Sequence, residues 1–459
     1  MNLFQVFLLG AYFINCNLGE TNNARDIPKP LKDISPVILD SFQTNNVEAL
    51  PKTLKELSPA IFSKFQSNNV EDAPKMLDKI SPVILIPGDG GSQIEAKLDK
   101  QTVPHYICAK QSTDFFNIWL NLELLVPLVI DCWVDNMRLV YDNTTRATQN
   151  APGVETRVPF FGDPFSVEYL DPSKASAGAY FRDLGNALVA LGYERNVSLR
   201  GAPYDFRKAP NENEAWFGDF RALIEETYQL NGGKQGVVLV AHSMGALMTL
   251  HFLQSMPQSW KDTHVAAFVS LAGAYGGSVK AVKVYAIGDD LGTYVLRQKT
   301  LREMQITSSS LAYLLPSPLF WKPNETLVIT NSQNYTLTNL QDFFTEISFP
   351  DAWEMWQDTQ AYKHNFTAPG VEVHCLHGNN VKTIERLIYK KDKFPDGDPS
   401  FEYGDGDGTV NRRSLEGCLH WTKAQAQKVY HEVFPKVDHM GILANKDIIN
   451  YVLSVLEKL

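Results

Sequence analysis

Hydrophobic positions change their spacing along the chain. From residue 81 onward, short runs of branched apolar residues alternate with stretches whose apolar positions recur every three to four residues. "PVILIPG" (82–88), "GVVLVAH" (236–242), "HVAAFVSLAG" (264–273) and "GVEVHCLHG" (370–378) are β-favouring runs bounded by turn residues. This is the pattern of inner parallel strands covered on both faces. Between two of them, "AWFGDFRALIEETYQL" (215–230) sets Phe220, Leu223, Ile224 and Tyr228 at helical spacing. Strands alternating with helices predict an α/β protein with a mostly parallel sheet.

The first 80 residues read differently. Leu3 to Ile14 form an apolar run of signal-peptide length, and small residues near Gly19 offer a cleavage site, so residues 1–19 are predicted to be a secretory leader. The run has no Lys or Arg ahead of it, which leaves a buried N-terminal segment as the alternative. Residues 20–78 form an extension with a 23-residue repeat, its copies starting at Thr21, Thr44 and Ser67. Only the third copy runs on into "IPGDGG". It reads as a duplication of the segment leading into the first core strand, and no chemistry is assigned to it. No later stretch reaches the ~18 uncharged apolar residues of a membrane span.

Cysteines and sequons support export. With the leader removed Cys16 goes too, leaving Cys108, Cys132, Cys375 and Cys418, which allow three pairings or four free thiols. Pairing nearest in sequence would close two moderate loops. Asn143, Asn196, Asn324, Asn334 and Asn365 each begin a glycosylation sequon. The formal net charge of -10, with no basic stripe, argues against a nucleic-acid partner.

The candidate chemistry centres on "VVLVAHSMGALMTLHFL" (237–253), where a strand stops at Ala-His-Ser-Met-Gly and a helix-prone run follows. A sharp strand-to-helix elbow would lift the Ser243 hydroxyl above the sheet, and needs small residues two before and two after it; here they are Ala241 and Gly245. The plain alternative is a helix N-cap serine. A serine nucleophile needs a base, and in this arrangement an acid and then a histidine follow downstream. His439 sits between an apolar segment and the C-terminal amphipathic stretch; His431 lies within or before that segment, and His420 and His374 read as ordinary residues. "FEYGDGDGTVN" offers Asp405 and Asp407. Asp407 is preferred as the acid and Asp405 as an Asx-turn holding the loop, but the residues alone leave both open. The loop resembles a calcium loop in composition yet lacks the spaced ligands and the distal Glu. For oxyanion donors the pattern points to the amides of Met244, after the nucleophile, and Asp89, in the glycine-rich turn after the first strand.

With these pieces in place, residues of about 80–455 resemble the lecithin:cholesterol acyltransferase family. The stretches that carry the resemblance are "PGDGGSQIEAKLDK", "WLNLELLVPLVIDCWVDNMRLVYDNTTRATQ", "LRGAPYDFRKAPNEN", "VVLVAHSMG" and "YGDGDGTVN". The resemblance implies an α/β-hydrolase domain over 79–459, a membrane-binding segment at 105–135, and cap or lid insertions within about 280–370. Residues 282–295 resemble the family's mobile lid. It further implies Ser243 as nucleophile, Asp407 as acid, His439 as base, Asp89 and Met244 as oxyanion donors, and disulfides Cys108–Cys132 and Cys375–Cys418. Departures are Ala274 and Tyr275, where the family has Pro and Trp near the acyl pocket, and Ala246, where a polar residue is usual.

Between the first two of those cysteines, Phe115, Phe116, Trp119, Leu120 and Leu122, with Leu124 and Leu125, make a dense apolar patch. It could be plain core; tied off by a disulfide, it could equally meet a bilayer, and the resemblance favours the second. The implied activity is a phospholipase A and acyltransferase acting at phospholipid membranes or lipoprotein surfaces. It would pass an acyl group from a glycerophospholipid through an acyl-serine to water or to a ceramide-like lipid alcohol, with no metal or cofactor. A lysosomal site is expected, an extracellular one the alternative. A neutral-lipid lipase or cholesterol acyltransferase would share every catalytic atom; a non-catalytic lipid-binding glycoprotein would lack a member of the triad.

Overall fold

Six parallel strands run through the centre of the protein: β1 (Val83–Ile86), β2 (Leu199–Gly201), β3 (Val237–His242), β4 (Val265–Leu271), β5 (Val373–Asn379) and β6 (Val429–Pro435). The computed structural model describes residues 80–126, 129–291, 297–364 and 366–459. The leader, the repeats and Asn365 lie outside the described residues. In the sheet the strands follow the order β6-β5-β4-β3-β1-β2, every neighbouring pair parallel. β1 and β3 are buried at every position. Their apolar runs are continuous rather than alternating because helices cover both faces. The chain is therefore an α/β protein of hydrolase type, as the alternation of strands and helices predicts.

The helices that bear on the argument are α1 (Ile130–Met137), α2 (Glu214–Leu230), α3 (Met244–Ser255), α4 (Val279–Ile287), α5 (Asp351–His364) and α6 (Lys446–Leu456). On α2 the buried positions are Trp216, Phe220, Leu223, Ile224 and Thr227. The small Thr227 takes the inward slot, its hydroxyl bonded to the Leu223 carbonyl; Tyr228, expected on that face, lies at its edge. α3 is apolar nearly all round and correspondingly buried, as befits a helix rising from the middle of the sheet.

Two further layers flank the sheet. A three-stranded antiparallel sheet (Phe116–Trp119, Ile94–Leu98 and Val154–Arg157) lies in the N-terminal part with α1, tied by the disulfide Cys108–Cys132. A second apolar core gathers residues from Val279 to Tyr389, including α4, part of α5 and a four-stranded sheet. Of the expected lid, Val282–Ile287 is buried helix, and 292–295 fall outside the described residues. Among the described residues no helix is long and apolar enough to cross a membrane.

Because β1 and β3 are neighbours in register, with Ile86 opposite Ala241, the turns leaving their carboxyl ends emerge side by side. In open α/β sheets that is where ligands bind. β5 and β6 extend the same edge, and the loops beyond them return to it.

Candidate active site

Ser243 stands at the bend between β3 and α3 with φ 55° and ψ -121°. A non-glycine residue at positive φ is strained, and such strain persists only where the surroundings enforce it. Here they do. A Cβ on Gly245 would lie 2.3 Å from the Pro87 carbonyl oxygen, and one on Gly88 2.7 Å from the Ser243 Cβ. Glycine at both places lets the β1 turn and the elbow approach, with Ala241 fully buried behind them.

Three side chains from three carboxyl-end loops then meet. The Ser243 Oγ is 2.9 Å from His439 Nε2. His439 Nδ1 is 2.6 Å from Asp407 Oδ2. The other carboxylate oxygen of Asp407 accepts the amides of Thr409 (3.0 Å) and Val410 (2.7 Å), and the His439 amide donates to the Asp407 carbonyl at 2.9 Å. Asp407 is thus held by both oxygens and by its backbone. Its burial would push the pKa up, but the electrostatic interaction with His439, the hydrogen bond to that ring and the two amides outweigh it and hold the carboxyl below its ordinary range. Asp405 points elsewhere: it accepts the Asn380 amide at 2.6 Å and pairs with Arg412 at 3.1 Å.

The Met244 amide lies in the first turn of α3, where helix geometry provides no carbonyl for it and the dipole favours negative charge. Asp89 follows Gly88 in the β1 turn, which closes with the Gly91 amide on the Gly88 carbonyl at 3.0 Å. Asp89 is an exposed residue, and loss of water around its carboxyl pushes its pKa up to about 6, against the pull of Lys280 and the Gly90 amide. Lys280 also lies 3.5 Å from Asp289, which Lys283 holds at 2.9 Å.

Two residues that the sequence does not single out tie these loops together. The Tyr180 hydroxyl accepts the Gly88 amide at 3.0 Å and bonds His242 Nδ1, and His242 Nε2 donates to the His439 carbonyl at 2.9 Å. Burial, reinforced by the nearby His439, pushes the His242 pKa down to about 3, so the ring stays a neutral strut. His242 was in view beside the serine; Tyr180, 62 residues earlier, carries no local signal.

The sequence is similar to known proteins over most of its length. The profile of the lecithin:cholesterol acyltransferase family matches residues 115–446. The human protein named lysosomal phospholipase A and acyltransferase is 49% identical over 373 residues, 81% of this chain and 90% of the human one. The bovine protein of that name is 48% identical over 81% of this chain and 91% of its own. The chicken phosphatidylcholine-sterol acyltransferase is 42% identical over 78% and 86%. This chain belongs to the lecithin:cholesterol acyltransferase family.

As the resemblance to that family implies, Cys108 pairs with Cys132 and Cys375 with Cys418. Of the departures, Ala274 sits next to the nucleophile, its amide 3.4 Å from the Ser243 carbonyl oxygen, whereas the buried Tyr275 ring packs on Trp421 at 5.1 Å. Four sequon asparagines, Asn143, Asn196, Asn324 and Asn334, are exposed.

Of the five residues expected to contact lipid, two lie inside the protein. Trp119 and Leu120 are turned inward, 8% and 9% exposed. The Trp119 indole donates to the Gly90 carbonyl at 2.7 Å and packs against Trp133 and Phe206, so it braces the Asp89 turn. Phe115, Phe116 and Leu122 are half-buried, with the Arg157 guanidinium 4.2 Å over the Phe115 ring. The exposed apolar groups next to this disulfide are instead Tyr106 (98%) and Ile107 (46%), just ahead of Cys108.

Proposed function

We propose that this chain is a phospholipase A and acyltransferase that works through an acyl-serine at Ser243. What supports this most is the continuous run of hydrogen bonds from Asp407 through His439 to Ser243 at the strand-to-helix elbow. His439 takes the Ser243 proton as Oγ attacks a fatty ester carbonyl of a glycerophospholipid. Asp407 orients the ring and balances its charge. The amides of Asp89 and Met244 receive the oxyanion. The tetrahedral intermediate collapses, His439 returns the proton to the glycerol oxygen, and lysophospholipid leaves. Water, or the primary hydroxyl of a ceramide-like lipid, then gives its proton to His439, attacks the acyl-serine and restores Ser243. The chain's own residues activate the nucleophile and hold the anion, so we read the reaction as calcium-independent.

The name of the human relative supports a phospholipid donor and a lysosomal site; the chicken relative supports a second reading, transfer to a sterol. Phosphatidylcholine vesicles carrying either N-acylsphingosine or cholesterol separate them. The proposed activity yields fatty acid and acylated sphingolipid, unchanged by a calcium chelator. Cholesteryl ester as the main product would replace the acceptor assignment with the sterol one.

The raised Asp89 pKa sets a direction for pH dependence. Below about 6 its carboxyl is neutral; above it, a negative charge sits beside the amide that receives the oxyanion. Activity should therefore fall as pH rises through that value, on the order of tenfold and less than the roughly 10²-fold of losing a donor outright. In Asp89→Asn that fall should be absent, which a pH–rate profile on vesicles measures.

We place the lipid-facing surface at Tyr106 and Ile107. Replacing both by serine should weaken vesicle binding about 10- to 100-fold, from the apolar area withdrawn. Hydrolysis of a soluble short-chain ester should be unchanged.

A further inference from the structure

Outside the proposed reaction, one cluster of ligating side chains among the described residues has no role. β5 and β6 pair in parallel with Cys375 opposite His431 and His377 opposite Val433. Side chains alternate along strands, so Cys375, His377 and His431 share one face. The disulfide from Cys375 to Cys418 lays the short turn of 3₁₀-helix Glu416–Trp421 over that face, and this brings in Glu416.

We propose that His377, His431 and Glu416 form a divalent transition-metal site, with zinc the ion its donors suit best. The ligand atoms of the three lie within 4.8 Å of one another. His377 is fully buried, and its Nδ1 is 2.8 Å from the Gly378 carbonyl oxygen. A carbonyl only accepts, so Nδ1 carries the proton and Nε2 presents a lone pair. A ring nitrogen donating to a backbone carbonyl is the usual support of a metal-binding histidine. That Nε2 is 2.8 Å from the Nε2 of His431, and the two share a single proton in the absence of an ion. At zinc–nitrogen distances of about 2.0–2.1 Å, tetrahedral donors stand roughly 3.3 Å apart, so exchanging that proton for an ion needs only about half an ångström of opening.

Glu416 completes a two-histidine, one-carboxylate set, with a fourth position left for water. One of its oxygens is held by Arg412 at 2.8 Å, and Arg412 keeps a second partner in Asp405 when that bond is released. β6 runs on through 436–438 into His439, so an ion here would brace the strand that delivers the base. The expected consequence is stability.

Zinc alone is the probe. The full-length protein is stripped with a chelator and titrated at neutral pH against a chromophoric competitor, in wild type and in His439→Gln; the latter removes the imidazole that bonds the Ser243 hydroxyl. The proposal expects one equivalent bound in both, a rise of a few degrees in Tm, and affinity at least 10-fold weaker in His431→Leu and Glu416→Gln. Cobalt at the site should show the visible bands of a four-coordinate ion in wild type and lose them in His431→Leu. His377 is buried and its replacement could disturb folding; His431 and Glu416 are partly exposed and decide the matter. No zinc bound in His439→Gln would place the ion at the nucleophile and overturn the proposal. Unchanged affinity in both folded variants would overturn it too.

Discussion

Alanine at position 243 is expected to lower phospholipid deacylation by about a million-fold, the scale at which a nucleophile acting in concert with its base is lost. What survives is binding and the oxyanion donors alone. The fold should be intact, because the hydroxyl gives no structural support beyond its bond to His439 Nε2. The elbow is enforced by the backbone crowding at Gly245 and Gly88, which alanine leaves untouched. Single-turnover assays on vesicles, with circular dichroism of the same sample, check both halves. A folded variant with substantial deacylation would remove the acyl-serine from the account.

The second large effect separates the two aspartates of the glycine-rich loop. Asp407→Asn should lower kcat by about 10⁴-fold, because an amide cannot hold the imidazole in the tautomer that accepts the serine proton, nor balance its charge. Asp405→Asn should change it by a few-fold at most. Asp405 holds Asn380 and Arg412, and so shapes the loop from its outer side without touching the ring. Both variants are nearly isosteric, so the comparison isolates charge from shape. Equal losses in the two would mean that the loop, and not the Asp407 carboxylate, is what the reaction needs.

The inner strands were legible because burial on both faces writes a continuous apolar run, and the elbow because crowding there demands small residues on either side of the serine. Other parts were not. β2 is three residues, too short to show a period. β6 lies at the sheet edge, carries His431 and Glu432 in the middle of "VYHEVFP" and has no fully buried position, so it does not resemble the inner strands. In the aromatic patch at 115–122, the inward turn of Trp119 was hidden for a different reason. Composition marks Trp119 as amphipathic, which suits a lipid surface; but its N–H finds a partner inside, at the Gly90 carbonyl, and the ring follows it in. The choice between Asp405 and Asp407 rests on the direction in which each side chain leaves the same loop, which composition does not encode. His377 and His431 are paired by neighbouring strands, and Tyr180 reaches His242 from a loop ahead of a helix; both pairs join residues far apart in the chain.

The most direct test of the account is covalent. A fluorophosphonate bearing a fatty chain should add one equivalent to the full-length protein, with peptide mapping by mass spectrometry locating it on Ser243. Labelling should slow in His439→Gln and vanish in Ser243→Ala. An enzyme that hydrolyses phospholipid yet carries the label on another residue, or resists it altogether, would contradict the central claim.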